Sequence, residues 1–371
     1  MKKRIVELLV FLVIVWIYGC NSADHHMYTR ISADGSCYRE FRGWSMDSAF
    51  IAGDTSKNPF PVRIDSTWKM SIYGKHEGDS IMKQIDKQYY YSHIHDSAFM
   101  AYLNIRKEYS SVKNMDETFR FYNSPWDSVK PALSWDKKFR WFYTYFEFSE
   151  TYPHQNPFTT IPIENYLSPE ELETLYGHHT DLYKGKIGIE IRDMLNDMEG
   201  RSNAWLNRSV YEENYNFFLK NYRFLKNMPV DSVTFARAKD PVYLQFGKDT
   251  LLPDVTIKLD TVLNKHFNTR CFTSSDCMPP DLEKKYEKEF PDYAKGFGME
   301  LSYQLTMPGK VLETDAPFFN GDTLKWKLDQ YRFFFTDYKL YAASRKPNYW
   351  AFAATAIIVI LSTLAFLVKR K

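Results

Sequence analysis

Two long apolar runs stand at the ends of this chain, and between them the hydrophobic pattern passes from alternation to helical spacing and back. Leu8 to Ile17 is an uninterrupted apolar run behind Lys2, Lys3 and Arg4. It is too short to cross a hydrocarbon core of roughly 30 Å as a helix, so it reads as the core of an export signal. Tyr349 to Val368 carries no charge at all and is followed at once by Lys369, Arg370 and Lys371. At about 1.5 Å of rise per residue such a helix is about 30 Å long, the thickness of that core. Tyr349 and Trp350 supply an interfacial aromatic pair at its start. Arg345 and Lys346 precede the run, so positive charge alone does not orient it. The export signal does: with the body translocated, the helix stops transfer and leaves residues 369–371 in the cytoplasm.

The body divides by pattern. Residues 20–160 read as strand-rich, with candidates at Val62 to Tyr73, Phe119 to Tyr122 and, above all, Phe139 to Phe148. Both period-two faces of the last are largely aromatic, which predicts a strand covered on both sides. Residues 161–228 read as helical. Ser168-Pro169-Glu170-Glu171 is a capping box with proline at the first helical position, and Gly177 ends that helix. Ile187, Ile191, Leu195 and Met198 recur at helical spacing, and a further helix is expected from about Asn203 to Leu225, stopped by Pro229. Residues 229–345 read as a mixed β region: strands within Val242 to Leu263, a short charged helix from Asp281 to about Phe290, and a final antiparallel unit over 299–343. Asn320-Gly321 supplies a hairpin turn in that unit. The fold class is thus α+β: an antiparallel-sheet-rich periplasmic body with a central helical segment, plus one carboxy-terminal transmembrane helix.

Charge changes the picture little. The chain carries +2 overall, but the segment up to Cys20 and the basic tail are positive and the body is slightly acidic, so no nucleic-acid footprint is present. Aromatic residues make up 17% of the chain and spread along it, which suits either large aromatic cores or exposed stacking surfaces.

Ile17-Tyr18-Gly19-Cys20 resembles the bacterial lipobox, with Tyr18 bulkier than usual at its place. The resemblance implies that residues 1–19 are a lipoprotein signal peptide and that Cys20 receives the diacylglycerol. Two or three acyl chains would then anchor the mature amino terminus stably. Cys37, Cys271 and Cys277 remain, an odd number for an oxidising compartment. Cys271 and Cys277 can close a small ring, and a bond from Cys37 to either is an alternative.

Candidate chemistry is sparse. His93-Ile94-His95-Asp96 would put two histidines on one strand face and resembles the start of a metallo-β-lactamase motif, but the aspartate comes one place early and no histidine follows. His178-His179 is a poor chelator alone, since adjacent helical residues diverge by about 100°. His25-His26 falls where a solvated linker is expected. No catalytic residue, metal site or cofactor is assigned. Asp followed by Ser or Thr and then an aliphatic residue or Thr recurs at Ser48, Ser66, Ser80, Ser97, Ser128, Ser232, Thr250, Thr261 and Thr323. This resembles the periplasmic O-glycosylation sequon of Bacteroidetes, which makes these hydroxyls candidate glycan acceptors. Such pairs also make ordinary turns and caps.

Two stretches resemble known families. Phe139 to Phe148, with Thr151-Tyr152-Pro153 and Asn165-Tyr166-Leu167-Ser168, looks like a group of uncharacterised Bacteroidetes envelope lipoproteins. Met307-Pro308-Gly309-Lys310-Val311 and Asp322 to Leu328, followed by a spanning helix and basic tail, are similar in pattern to LppM-type lipoprotein domains. The second resemblance implies contact with envelope lipids and carries no catalytic residue. The expectation is an inner-membrane protein bound to membrane lipid through both termini, with a periplasmic body that scaffolds or binds an envelope protein. The alternative is a carrier or enzyme handling a lipid or glycolipid at the membrane surface.

Overall fold

The computed structural model describes residues 25–43, 48–122, 127, 129–156, 158–177, 181–247, 259–270, 272, 277–289, 300–320, 322–335 and 337–369. The expected signal peptide and Cys20 lie outside them. The chain forms two compact units, one of residues 1–153, 299–330 and 336–371, the other of residues 154–298 and 331–335.

The first unit is built from β1 (His25–Ile31), β2 (Cys37–Gly43), β3 (Lys69–His76), β4 (Lys83–Ile85), β5 (Phe99–Tyr109), β6 (Ala132–Phe139), β7 (Tyr143–Tyr152), β8 (Glu300–Thr306), β9 (Lys310–Thr314), β10 (Phe318–Asn320), β11 (Thr323–Asp329) and β12 (Tyr338–Pro347). They make an eight-stranded sheet in the order β10-β11-β8-β1-β2-β5-β3-β4 and a four-stranded sheet in the order β6-β7-β12-β9. Among the described residues every strand pairing is antiparallel except that of β1 with β8. Alternation explains the burial. Thr144, Phe146, Phe148, Glu150 and Tyr152 of β7 point inward while the residues between them are half-buried. Across the large sheet, Trp326, Tyr303, Met27, Phe41 and Ile105 fall in one register row and all are buried.

Several sequence expectations are corrected in this unit. Phe139 to Phe148 is not one strand covered on both sides but a hairpin, closed by Arg140 N donating to Tyr143 O (2.8 Å) and Tyr143 N donating to Arg140 O (3.1 Å). Val62 makes only an isolated bridge to Phe121, and the expected strand there begins at Lys69. His25 and His26 are no linker: they open β1, paired with Leu301 and Ser302 of β8. The 299–343 segment is shared between both sheets rather than forming one antiparallel unit.

The second unit is helical over its described residues. The helix Pro169–Tyr176 has the expected capping box, Ser168 accepting from Glu171 N and Glu171 accepting from Ser168 N, and ends at Gly177. The two helices expected across 187–225 are one, Gly188–Lys220. Met198, Trp205, Leu206 and Val210 pack one cluster, and Trp205 donates its indole N–H to Ile161 O at 2.8 Å. Further along the helix, Tyr215 and Phe218 join Phe235, Val242, Leu263 and Phe272 in a second cluster.

Where strands are expected within 242–263, the described residues are helical, Lys239–Gly247 and Leu259–His266, and residues 248–258 lie outside them. Phe235, Ala238 and Val242 recur at spacings of three and four on the buried side, a helical period that outweighs the β propensity of Val, Tyr and Phe. The charged helix spans Pro280–Glu289.

Candidate functional site at the base of the carboxy-terminal helix

The helix Tyr349–Lys369 is the one candidate membrane span among the described residues, with a mean hydropathy of 2.5. Only Ala351 of its residues is buried; from Ile357 onward the apolar side chains are exposed. It leaves β12 with a single residue, Asn348, between them.

Asn348 fixes that departure. Its backbone N–H donates to Phe142 O (2.9 Å), and its side-chain amide donates to Arg140 O (2.8 Å) and Trp141 O (3.1 Å). Thr144 Oγ1 donates to Asn348 Oδ1 (2.9 Å), and Asn348 O accepts from Ala351 N (2.8 Å) at the start of the helix. The tip of the β6–β7 hairpin is thereby tied to the first helical turn. Rings close the joint: Phe139 stacks on Trp350, Trp141 meets Trp350 edge-on at 5.3 Å, and Phe142 and Tyr143 both contact Phe352. Trp141 Nε1 donates to Thr355 Oγ1 at 2.8 Å, well along the helix. These aromatics remain about half exposed, Trp141 at 46% and Trp350 at 57%.

Arg39 on β2 and Glu150 on β7 carry a different kind of chemistry. Both side chains are fully buried and meet at 2.7 Å, joining the two sheets. Arg39 Nε donates to Thr29 Oγ1, and Glu150 accepts from the hydroxyls of Tyr152 and Tyr303, each at 2.9 Å. The guanidinium also lies 4.4 Å from the Phe119 ring centroid. Burial opposes the Arg39 cation, but the Glu150 carboxylate together with Tyr303 and Tyr152 outweighs it, and the proton is held more tightly than usual. Burial, then the same carboxylate, pushes the Tyr152 and Tyr303 phenols well above their ordinary value, so both remain donors. The network joins the two sheets and reads as a latch between them, with Arg39 Nη1 the one guanidinium nitrogen buried without a hydrogen bond.

A groove of about 670 Å³ lies between β9 and β10, lined by Val311, Leu312, Phe319 and Asp322 among others. β9 and β10 are edge strands of the two sheets, and Leu312, Phe318 and Phe319 are exposed there. Gly309, which opens β9, has φ +84°, and a Cβ on it would stand 2.3 Å from Arg345 O. Only glycine fits that turn.

The histidine motif does not assemble as a chelate. His93 ends the helix Lys87–His93 instead of lying on a strand, so His93 and His95 share no strand face. The neighbour it finds is His76 of β3, edge-on at 5.2 Å and 3.4 Å from Asp96. No group of three or more metal-ligating residues occurs among the described residues. His178 and His179 lie outside them.

Cys277 is disulfide-bonded and Cys37 is a free buried thiol, which removes Cys37 as its partner; Cys271 lies outside the described residues. Burial pushes the Cys37 thiol up to about 11. Of the candidate glycan acceptors, Ser48, Ser66, Ser80, Ser97, Ser232 and Thr261 are exposed and Thr323 is half-buried, while Ser128 and Thr250 lie outside the described residues. Several of the preceding aspartates already serve turns: Asp65 accepts from Thr67 N, Asp96 from Ala98 N and Asp231 from Thr234 N.

The hairpin tip was invisible as a helix seat in the sequence, although an Arg-Trp-Phe turn beside an apolar helix was the available sign. No protein-family model, curated protein or solved structure matches the chain.

Proposed function

We propose that this is a membrane-tethered envelope protein, lipidated at Cys20, spanning the inner membrane once at Tyr349–Lys369, with a periplasmic body that binds a partner protein at the membrane surface. The observation that carries the reading is the carboxy-terminal helix, long and apolar enough to span and rising straight from a folded β unit. A sheet that continues into a clamped helix holds its edge strands at a set height above the bilayer. The binding face is the groove between β9 and β10. Exposed Leu312, Phe318 and Phe319 beside two strand edges suit an extended segment of an envelope protein that adds a strand and buries apolar side chains.

A photo-crosslinking amino acid at Leu312 in the full-length protein tests this in cells. One recurrent envelope protein, captured from position 312 and not from exposed Ser66, is the expected result. Purified protein that instead carries a stoichiometric lipid, lost on Leu312→Ser and Phe319→Ser substitution, would overturn the scaffold reading in favour of a lipid or glycolipid carrier. Lipidation is checked separately by mass spectrometry: the mature protein should begin at acylated Cys20, and Cys20→Ala should abolish the modification.

A further inference from the structure

We propose that the end of the four-stranded sheet nearest the helix is itself a lipid-binding surface. The hairpin tip Phe139–Phe142 enters the interfacial layer beside the helix, and Arg140, Lys310, Arg345 and Lys346 meet anionic phospholipid headgroups. This rests on the reading that Tyr349–Lys369 spans a bilayer and adds a second, non-spanning contact to it.

Depth is the first support. Trp141 bonds to Thr355, six residues beyond Tyr349 and so about 9 Å along the helix axis. If the uncharged run from Tyr349 lies in the membrane, the indole beside Thr355 lies in it too. Its N–H is satisfied by that hydroxyl, and Asn348 satisfies the carbonyls of Arg140 and Trp141. Donors and acceptors near lipid need such internal partners. Phe139, Trp141, Phe142, Tyr349, Trp350 and Phe352 together form an exposed aromatic patch, an expensive surface in water but one suited to the membrane interface.

Strand register supplies the second support. Tyr143 and Pro347 share the row nearest the helix, Phe139, Thr144 and Lys346 share the next, and Lys138, Tyr145, Arg345 and Lys310 share the third. With Arg140 in the tip, these rows contain basic residues and no acidic ones. Carboxylates begin at Asp136, Glu147 and Glu313, two rows further from the tip. That is about 10 Å above the row of Phe139 and Lys346 at the usual strand rise. Lys138 is committed to Asp136 and Glu147. Arg345 and Arg140 lie against the Tyr143 and Tyr145 rings, held at the level of the aromatic tip. A positive row directly above an aromatic row matches the order of charge and apolarity met on passing through an anionic headgroup layer into a bilayer.

The full-length protein is reconstituted into vesicles of phosphatidylcholine and phosphatidylglycerol in equal parts. Each contains a trace of one photoactivatable lipid, either phosphatidylcholine or phosphatidylglycerol, with a diazirine near the glycerol end of an acyl chain. Adducts are mapped by peptide mass spectrometry. The expected result is labelling of both the helix and the peptide bearing Phe139–Phe142, with the tip labelled several-fold more by the phosphatidylglycerol probe. That preference should fall to unity in a variant carrying Arg140→Gln, Lys310→Gln and Lys346→Gln, with helix labelling unchanged. A labelled helix with an unlabelled tip overturns the inference and leaves the spanning reading intact. Equal tip labelling by the two probes overturns the anionic-headgroup assignment. An unlabelled helix removes the spanning reading, and the inference with it.

Discussion

Arg39 and Glu150 show what a single pair of residues can decide in this β unit. Two fully buried charges at 2.7 Å gain attraction but lose hydration, so the pair adds little stability over apolar residues of the same shape. Breaking it is another matter. Arg39→Met leaves the Glu150 carboxylate buried with only two tyrosine donors, and a loss of about 3–5 kcal/mol is expected. Adding Glu150→Leu removes the stranded charge and should restore much of the loss, as measured by denaturation of the full-length protein in detergent micelles. A double variant no more stable than Arg39→Met alone would refute the latch. Half of this was legible beforehand. Period two places Glu150 on the same face as Phe146, Phe148 and Tyr152, a charge on an apolar face that demands a partner. Which residue answers depends on two sheets meeting, and no local pattern encodes that.

At the scale of elements, local signals survived and non-local ones did not. The capping box at Ser168–Glu171 was readable because all its atoms lie within one helical turn, and the structure adds Arg201 from the long helix, 2.5 Å from Glu171. The Arg201 hydrogen bond, ahead of other causes, lowers the Glu171 carboxyl from 4.5 to about 2. A depressed carboxyl stabilises the folded state above its unfolded value, and the contribution is lost as pH falls from about 4.5 towards 2. Because Arg201 is 36% exposed, screening trims the gain to about 1–2 kcal/mol. Glu171→Gln should therefore be less stable than wild type at pH 7, and the two melting curves should converge as pH drops through that window. The strand expectation at 242–247 and 259–263, where the chain is helical, fails for the complementary reason. β-branched and aromatic residues there favour extension locally, and only the Phe218, Phe235 and Phe272 cluster they pack against selects the helical period. Likewise Arg140-Trp141-Phe142 contains none of the usual turn residues, so the hairpin is set by its carbonyls' bonds to Asn348, far along the chain.

Over the whole molecule, the folded β unit gathers segments from both ends of the chain. β1, which begins at His25, pairs in parallel with β8, and β12 runs directly into the carboxy-terminal helix. Parallel pairing between strands so distant in sequence leaves no trace in hydrophobic alternation, and so the sequence pattern could not place it. Its consequence is mechanical: force or lipid attachment at either terminus acts on the same unit. The two proposed anchors should then be redundant for attachment and unequal for position. Cys20→Ala leaves the helix, with its apolar side chains exposed along most of its length, and the protein should resist extraction with alkaline carbonate. A chain ended after Asn348 keeps the lipid and should also stay with the membrane, because two or three acyl chains anchor stably. Only the combination should release the body. The truncation alone should also free the tip at Trp141 from its Thr355 and Trp350 contacts, so a protease that leaves wild type intact should cut near residues 139–142. Release of the protein by Cys20→Ala alone would show that the helix does not span, however apolar it is.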